Sequence, residues 1–389
     1  MLRLCSVFEV PADEVAAGSQ GFDAIGGMQN HTATLSRCLD QRGWTQTVVT
    51  SRLGGSRGTT RLGSHGRVVR VGVRLRRLRQ LWAWEALAHV WRHRSRVDLV
   101  HVHQGEDLAA LPLGLLAARR HRCPLVVTLH CSTRHTVQGP SARAWLLLHL
   151  GGRLEAAVLR RASAVVALAE HTAGCLRLDG LPPERIHVIP SGFDPELFSG
   201  EIGGSFPRAD PPRVGYVGRL APQKGADLLV AAFGRLTGTV CLVIVGDGPD
   251  GDRIDEALDA LPAQACVVRS GFVPHEQVPE LLRSLDMLVL PSTYEELGSV
   301  LIETMAVGTP IVASAVGGIP EIVCDGRNGL LVPPGDVAAL AAAIDRLVAD
   351  ADLASRLGAC GRTTAARFAW PRLAACVAAV YETALSDVR

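Results

Sequence analysis

The sequence predicts an α/β protein built from two Rossmann-like domains facing across a cleft. Three observations carry that prediction. Short β-branched runs alternate with amphipathic stretches, which is the rhythm of parallel strands and the helices that cover them. The alternation restarts after Pro190. The two halves also differ in charge: residues 1–195 carry 25 Arg against 14 acidic residues, a net of +11, while residues 196–389 carry 15 basic against 24 acidic residues, a net of −9.

In the first half the strand-like runs are QTVVT, VDLVHVH, PLVVTLH, SAVVALA and RIHVIP. In the second they are RVGYVG, TVCLVIVG, ACVVRSGFV, DMLVLPS and TPIVAS. Between the sets, PSGFDPELFSGEIGGSFPRADPP (190–212) is rich in Pro, Gly and acid, and reads as a hinge. The expected domains are 1–195 and 196–370, with 371–389 a last helix packing back on the first domain. Helices near 336–348, 351–366 and 370–385 close the chain.

Composition narrows the class. An apolar share of 48% supplies real cores. The longest apolar run, LAALPLGLLAA, is broken by Pro112 and Gly114, well short of the roughly 20 residues that span a bilayer. Glu9 and Pro11 interrupt any signal-peptide core, so a soluble cytoplasmic protein is expected. The ten cysteines show no close pair resembling a metal or redox motif and read as small buried hydrophobes. Only one of the 40 basic residues is a lysine, Lys224.

In parallel α/β sheets ligands bind beyond the carboxyl ends of the strands, so polar residues just after strands are the candidates for chemistry. Arg219 and Lys224 follow RVGYVG on a loop that leads into a helix, and a forked guanidinium with a compact ammonium suits a diphosphate. After DMLVLPS a helix is expected near Gly298. Amides of Gly298, Ser299 and Val300 there could hold a phosphate, with Glu303 one turn on for the attached ribose. Glu295, before that helix, is placed for sugar hydroxyls. The plain alternative is that Glu295 and Glu296 complement the helix dipole and Glu303 is solvated.

GDGPDG, residues 246–251, matches the dinucleotide pattern G-x-G-x-x-G and suggests an oxidoreductase, but Val267, Val268 and Arg269 stand where a ribose-binding acid belongs. Asp250 and Asp252 read as helix caps rather than metal ligands. Gly26 and Gly27 open a helix where backbone could approach a diphosphate. His103 and His130 end neighbouring strands, and His130 could bond a sugar hydroxyl or stabilise departing charge. Residues 73–96, rich in Arg and carrying Trp82, Trp84 and Trp91, could lie on an anionic membrane, although a solvated face with buried tryptophans is preferred. A pI near 8.1 and the lack of a recognition module argue against nucleic acid.

Taken together, GGM, VDLVHVH, TLH, VIPSGFD, GRLAPQKG, VGDGP, SGFV, EELGSVLIETMAVGTPIVASAVGGIPEIV and NGLLVPPGD resemble the retaining glycosyltransferases of family four, which have the GT-B architecture. The resemblance covers nearly the whole chain. It implies that Arg219 and Lys224 bind the donor diphosphate, Glu303 the ribose and Glu295 the donor sugar hydroxyls. It further implies Gly27 near the phosphates, His130 near the transferred sugar, and backbone at Phe272 and Val273 around the base. Ser191 stands where the family commonly has Asn, and Leu297 where Phe is usual.

Within the family, FDAIGGMQNHTATLSRCLDQRG, HQGEDLAALPLGLLAARRHRCPLVVTLHCSTRHT and PSTYEELGS are similar to actinomycete enzymes that glycosylate 2-deoxystreptamine in aminoglycoside antibiotic pathways. A polycationic acceptor of the paromamine or neamine type calls for carboxylates, and Asp23, Glu106 and Asp107 lie on loops after expected strands. His103 joins them as an acceptor-side candidate. The expectation is a retaining, metal-independent hexosyl transfer from a UDP-sugar, with no resident cofactor. The alternatives are a membrane-surface lipid glycosyltransferase of the same fold, a nicotinamide oxidoreductase and a non-enzymatic sugar-binding protein.

Overall fold

The computed structural model describes residues 1–9, 27–52, 58–72, 81–92, 95–105, 107–131, 147–200 and 210–387. The chain forms two compact units, one holding the described residues up to Pro190 together with Pro371 onward, the other Ser191–Trp370.

The first unit is an eight-stranded sheet in the order β3-β4-β2-β1-β5-β6-β7-β8. Its strands are β1 (Leu2–Cys5), β2 (Gln46–Ser51), β3 (Gly58–Leu62), β4 (Gly66–Val71), β5 (Val100–Gln104), β6 (Leu125–Leu129), β7 (Ala164–Ala167) and β8 (Ile186–Val188). All pairings are parallel except the β3–β4 hairpin at one edge. Its helices are α1 (Gly27–Gln41), α2 (Trp82–Arg92), α3 (Ala110–His121), α4 (Gly152–Leu159) and α5 (Glu170–Leu178).

The two faces of this sheet differ in chemistry. Leu2, Leu4, Val100, Val102, Val127 and Leu129 pack with Trp82, Ala86 and Val90 of α2 and Leu111 of α3 in one apolar core. On the alternate positions stand Arg3, His101, His103 and Thr128, all at most 1% exposed. The helix bonded to this second face is also polar: Gln29, His31, Thr32, Thr34, Ser36 and Asp40 of α1 are buried. An alternating VHVH run normally marks a strand with one wet face. Here the polar side is as dry as the apolar one.

The second unit is a six-stranded parallel sheet, β11-β10-β9-β12-β13-β14, formed by β9 (Arg213–Val217), β10 (Cys241–Val245), β11 (Cys266–Ser270), β12 (Met287–Leu290), β13 (Ile311–Ser314) and β14 (Leu330–Val332). Its helices of six or more residues are α6 (Ala226–Phe233), α7 (Gly251–Asp259), α8 (Val278–Arg283), α9 (Ser299–Val307), α10 (Val337–Ala349) and α11 (Ala351–Ala365). Asp336 and Asp350 cap α10 and α11 by accepting from Ala339 and Leu353 amides at 2.9 and 2.8 Å. The last helix, α12 (Trp370–Ser386), buries a stripe of Leu373, Ala374, Val377, Ala378, Tyr381 and Ala384, the helical spacing of one face. No helix among the described residues is long and apolar enough to cross a membrane.

Several expectations shift. Strands β1, β3, β4 and β14 are additional to the ten read from the sequence. Of the expected hinge, Ser191–Gly200 belongs to the second unit: Phe193 exchanges backbone bonds with Phe368 and Trp370 at 3.1 Å, and Arg283 donates to Phe198 O at 3.0 Å. Residues 201–209 lie outside the described set. Cys241 and Cys266 are not lone hydrophobes: they face one another across paired strands and form a disulfide, a match that sheet register makes and linear spacing hides. Asp250 occupies the N-cap of α7 without a side-chain cap bond.

Tyr381 ties α12 to the polar face, its hydroxyl 2.6 Å from His101 Nδ1 in a fully buried site. Tyr381→Phe should cost about 1–3 kcal/mol by stripping a buried ring nitrogen of its partner, seen as a lower thermal midpoint with unchanged far-UV circular dichroism.

Candidate active site

The order of the second sheet reverses between β9 and β12, which are hydrogen-bonded neighbours. Loops leaving these two strands diverge there, and the crevice between them is where such sheets receive ligands. Arg219 lies two residues beyond β9, and its loop is pinned by backbone: Gly218 N to Val245 O at 3.0 Å, Leu220 N to Asp247 O at 3.0 Å and Asp250 N to Leu220 O at 3.1 Å. The buried Tyr216 hydroxyl donates to Arg219 O at 2.7 Å.

This packing accounts for GDGPDG. A Cβ on Gly246, whose φ is +128°, would stand 1.9 Å from Gly218 O, and one on Gly248 would stand 2.1 Å from Leu220 O. These two glycines let one loop lie against the loop that carries Arg219; their presence needs no dinucleotide.

Lys224 ends a short turn, Pro222–Lys224, and Gly225 follows at φ +66° as the N-cap of α6. Gln223 O accepts from the Thr293 amide at 2.9 Å, so this turn is bonded to the loop after β12. From there Lys224 Nζ reaches Glu295 Oε2 at 2.6 Å. Glu295 is 9% exposed, and Ser292 Oγ stands 3.4 Å from the same oxygen. Gly298 takes a left-handed conformation, φ +80°, and α9 starts at Ser299. The Ser299 and Val300 amides precede the bond from Leu301 N to Gly298 O at 2.9 Å, so they lie in the first turn, where amides have no acceptor within the helix.

Glu303 lies one turn beyond Ser299, and its Oε1 is 2.9 Å from His275 Nε2. His275 opens the turn just after Phe272 and Val273, which follow β11 and are half-buried. The loop after β11 thus reaches Glu303 through a residue the sequence reading did not select. Neighbouring loops carry Arg219, Lys224, Glu295, Gly298, Ser299, Val300 and Glu303 to the carboxyl ends of β9 and β12, with Phe272 and Val273 joined to them through His275.

In the first unit Gly27 is the first residue of α1 and is exposed. His31, one turn on, is buried with its ring edge-on to His130, centroids 4.5 Å apart. His103 Nδ1 stands 3.1 Å from His130 Nε2, and the rings of His101 and His103 are 4.2 Å apart. His103 itself is fully buried, so its acceptor-side assignment is corrected: it reaches outward only through the half-buried His130. His31 was missed, although its four-residue spacing from Gly27 places both on one helix face.

Burial, their mutual repulsion and the Arg3 guanidinium hold the imidazoles of His31, His101 and His103 well below the usual histidine range. His130 is pushed down to about 3 by burial and by Arg3. Ring nitrogens of His31, His103 and His130 lie within 4.8 Å of one another, a spacing that could hold a metal ion. The charges do not suit one: Arg3 touches His103, and among the described residues no carboxylate is named as acting on Arg3.

Asp107 is also corrected. It is 2% exposed, with Oδ2 accepting from Trp82 Nε1 at 2.7 Å and Oδ1 from the Ala109 amide at 2.9 Å, so both oxygens serve the fold. Asp23 and Glu106 lie outside the described residues. Of the three tryptophans in the Arg-rich stretch only Trp82 is buried; Trp84 is 72% and Trp91 55% exposed, the latter under Arg120 at 5.8 Å. Trp82 shares the buried stripe of α2 with Ala86 and Val90 at four-residue spacing, which puts Trp84 and Trp91, seven apart, on the outer side.

Two cations, two glutamates and a helix start thus gather at the switch point of a parallel sheet, and comparison with known proteins gives the class. Residues 25–197 match the family described as Glycosyltransferase Family 4, and 202–364 match Glycosyl transferases group 1. The chain is 37% identical over 385 residues to a 2-deoxystreptamine N-acetyl-D-glucosaminyltransferase of Streptomyces fradiae, covering 90% of this chain and 89% of that one. It is 33% identical over 293 residues to an alpha-D-kanosaminyltransferase of Streptomyces kanamyceticus, covering 71% and 76%. Among solved structures, sucrose-phosphate synthase from Thermosynechococcus elongatus superposes with a TM-score of 0.84 at 27% identity, covering 99% of both chains. The chain belongs to the family-four glycosyltransferases. It is a sugar-transferring enzyme with the GT-B fold, which removes the oxidoreductase and the non-enzymatic readings.

The buried histidines set a pH dependence. Their folded pKa values lie below the unfolded value of about 6.5, so the unfolded chain takes up protons that the folded chain refuses. Stability is therefore full above pH 6.5 and is lost as pH falls toward the folded values. The three buried rings of His31, His101 and His103 together should steepen the loss to as much as about 4 kcal/mol per pH unit below pH 6. Urea midpoints at pH 7.5, 6.5 and 5.5 check this; a flat profile would contradict the burial of neutral rings.

Proposed function

We propose that the enzyme is a retaining, metal-independent hexosyltransferase that moves a hexosyl unit from a UDP-sugar to a 2-deoxystreptamine-containing acceptor of the paromamine or neamine type. The 2-deoxystreptamine on which the Streptomyces fradiae relative acts supports the acceptor class, and the N-acetylglucosaminyl and kanosaminyl units named for the two Streptomyces relatives fit an amino-hexosyl, glucosyl or glucosaminyl donor.

The observation that carries the donor half is the 2.6 Å pair between Lys224 and Glu295 at the switch point, beside the start of α9. A diphosphate entering there competes for the ammonium, with Arg219 as a second cation and the Ser299 and Val300 amides as neutral donors. Drawing Lys224 to phosphate frees Glu295 to accept hydroxyls of the transferred sugar. Glu303 accepts ribose hydroxyls with the oxygen that His275 leaves, Phe272 and Val273 backbone meets the base, and Gly27 lies near the phosphates. His130 meets the transferred sugar. The acceptor hydroxyl attacks from the face the UDP leaves, and the leaving phosphate takes its proton, giving an α-glycoside. Asp23 and Glu106 remain the acceptor ammonium candidates.

A second reading, a membrane-surface lipid glycosyltransferase, draws on the exposed Trp84 and Trp91 beside Arg120. Co-sedimentation with anionic liposomes separates the two: the proposal expects none.

Mass spectrometry of products from a panel of UDP-hexoses with paromamine and neamine, with and without EDTA, tests the proposal directly. An α-linked product unaffected by EDTA is expected; no transfer to either acceptor from any UDP-sugar would overturn it. Among variants, Glu303→Ala should raise the donor KM, by about tenfold for one lost charged hydrogen bond. Glu295→Ala and His130→Ala should instead lower kcat, by about 100-fold.

A further inference from the structure

We infer that Arg3, acting through His103, fixes the tautomer of His130 so that His130 offers an Nδ1–H toward the transferred sugar, which makes Arg3 and His103 positioning residues of the transfer. The inference rests on the placing of His130 at the sugar given above.

The argument is one of donors and acceptors. Arg3 lies in β1, 1% exposed, level with His101 on β5. Its Nη2 meets His103 Nε2 and its Nη1 meets Ser36 Oγ, with Gln46 Oε1 and Thr32 O at 3.5 Å. Ser36 spends its own proton on Thr32 O at 2.6 Å, and Gln46 spends its amide protons on Ser36 O at 2.7 Å, so both turn acceptor atoms toward the guanidinium. Among the described residues, every hydrogen-bond partner of Arg3 accepts.

A guanidinium only donates. His103 Nε2 must then be bare, and a neutral His103 carries its proton on Nδ1. That nitrogen is 3.1 Å from His130 Nε2, so it donates there, and Nε2 of His130 must in turn be bare. A neutral His130 keeps its one proton on Nδ1. It can give a hydrogen bond to a sugar oxygen but cannot take a proton at either nitrogen while the chain of bonds holds. That suits a reaction in which the leaving phosphate, not an imidazole, collects the acceptor proton.

The remaining groups around these rings do not reverse the assignment. His31 stands edge-on to both, and His101 is engaged by Tyr381 Oη at 2.6 Å and Thr128 Oγ1 at 2.8 Å. The other titratable groups acting on Arg3 are Tyr381 and Cys5, whose pKa values burial pushes up to about 12 and about 11, so both are neutral near pH 7.

Long-range proton–nitrogen correlation spectra of the full chain labelled with 15N-histidine, at pH 7, test the inference without any substitution. Assignment uses His103→Gln and His130→Gln. The expected spectrum has both His103 and His130 protonated at Nδ1 and bare at Nε2; either ring protonated at Nε2, or doubly protonated, overturns the inference. Arg3→Met should release both tautomers and lower kcat about tenfold, the size of one misdirected hydrogen bond, with donor KM within twofold of the parent. Arg3→Lys, which keeps a donor at that place, should retain the parental tautomers and most of kcat. Parental kcat in a folded Arg3→Met would refute the positioning role, and if that variant does not fold the parental spectrum still decides. A parent enzyme that transfers no hexose would fail the function proposed above while leaving the tautomers to be read independently.

Discussion

The proposed donor site depends on backbone touching backbone. Strands β9 and β12 are separated by more than two whole β-α units in sequence, yet they are neighbours in the sheet, and the loops that leave them must approach more closely than side chains permit. Gly225 is the clearest case: a Cβ there would stand 2.2 Å from Pro291 O, and its φ of +66° is one that L side chains rarely adopt. Gly317, where a Cβ would lie 1.7 Å from Glu295 O, closes the far side of the same loop. These contacts hold Lys224 and Glu295 within one hydrogen bond of each other, so the donor proposed above would have little ordering to drive.

The first unit solves the opposite problem. Its polar sheet face is occupied by groups that would each be costly if charged and unpaired, and it avoids the cost by keeping the histidines neutral and hydrogen-bonded. Arg3 is the charge in contact with these rings. Its field raises the cost of protonating any ring nearby, which makes the neutral state of His103 and His130 insensitive to ordinary changes of pH. A buried ion pair would have cancelled that field.

Much of this was legible in the residues themselves. Ten strands, the last three helices and the placement of Arg219, Lys224, Glu295 and Glu303 after strand ends follow from periodicity and from a rule of α/β sheets. What was hidden follows a pattern too. The strand β1 is hidden because Arg3 interrupts its apolar run. The Cys241–Cys266 bond, the Asp107–Trp82 bond and the His275–Glu303 bond each join residues that tertiary register brings together, and none leaves a trace in spacing. GDGPDG misled because glycine reports close approach without saying what approaches; the neighbour was the chain itself.

The VHVH run shows the same limit more sharply. Alternation told correctly which side chains share a face of β5, but the rule that polar means wet failed, because a helix as polar as α1 can cover a polar face when most donors there find acceptors, Arg3 Nε being an exception. Such a face cannot be assembled loosely. Ser36 must turn its oxygen toward Arg3 because its proton is committed to Thr32, and Gln46 must do the same because its amide is committed to Ser36. Each commitment leaves the next group one orientation, and the sequence ends at His130. A hydrophobic face of equal area would have stabilised the fold as well, but it would have left that imidazole free to present either nitrogen.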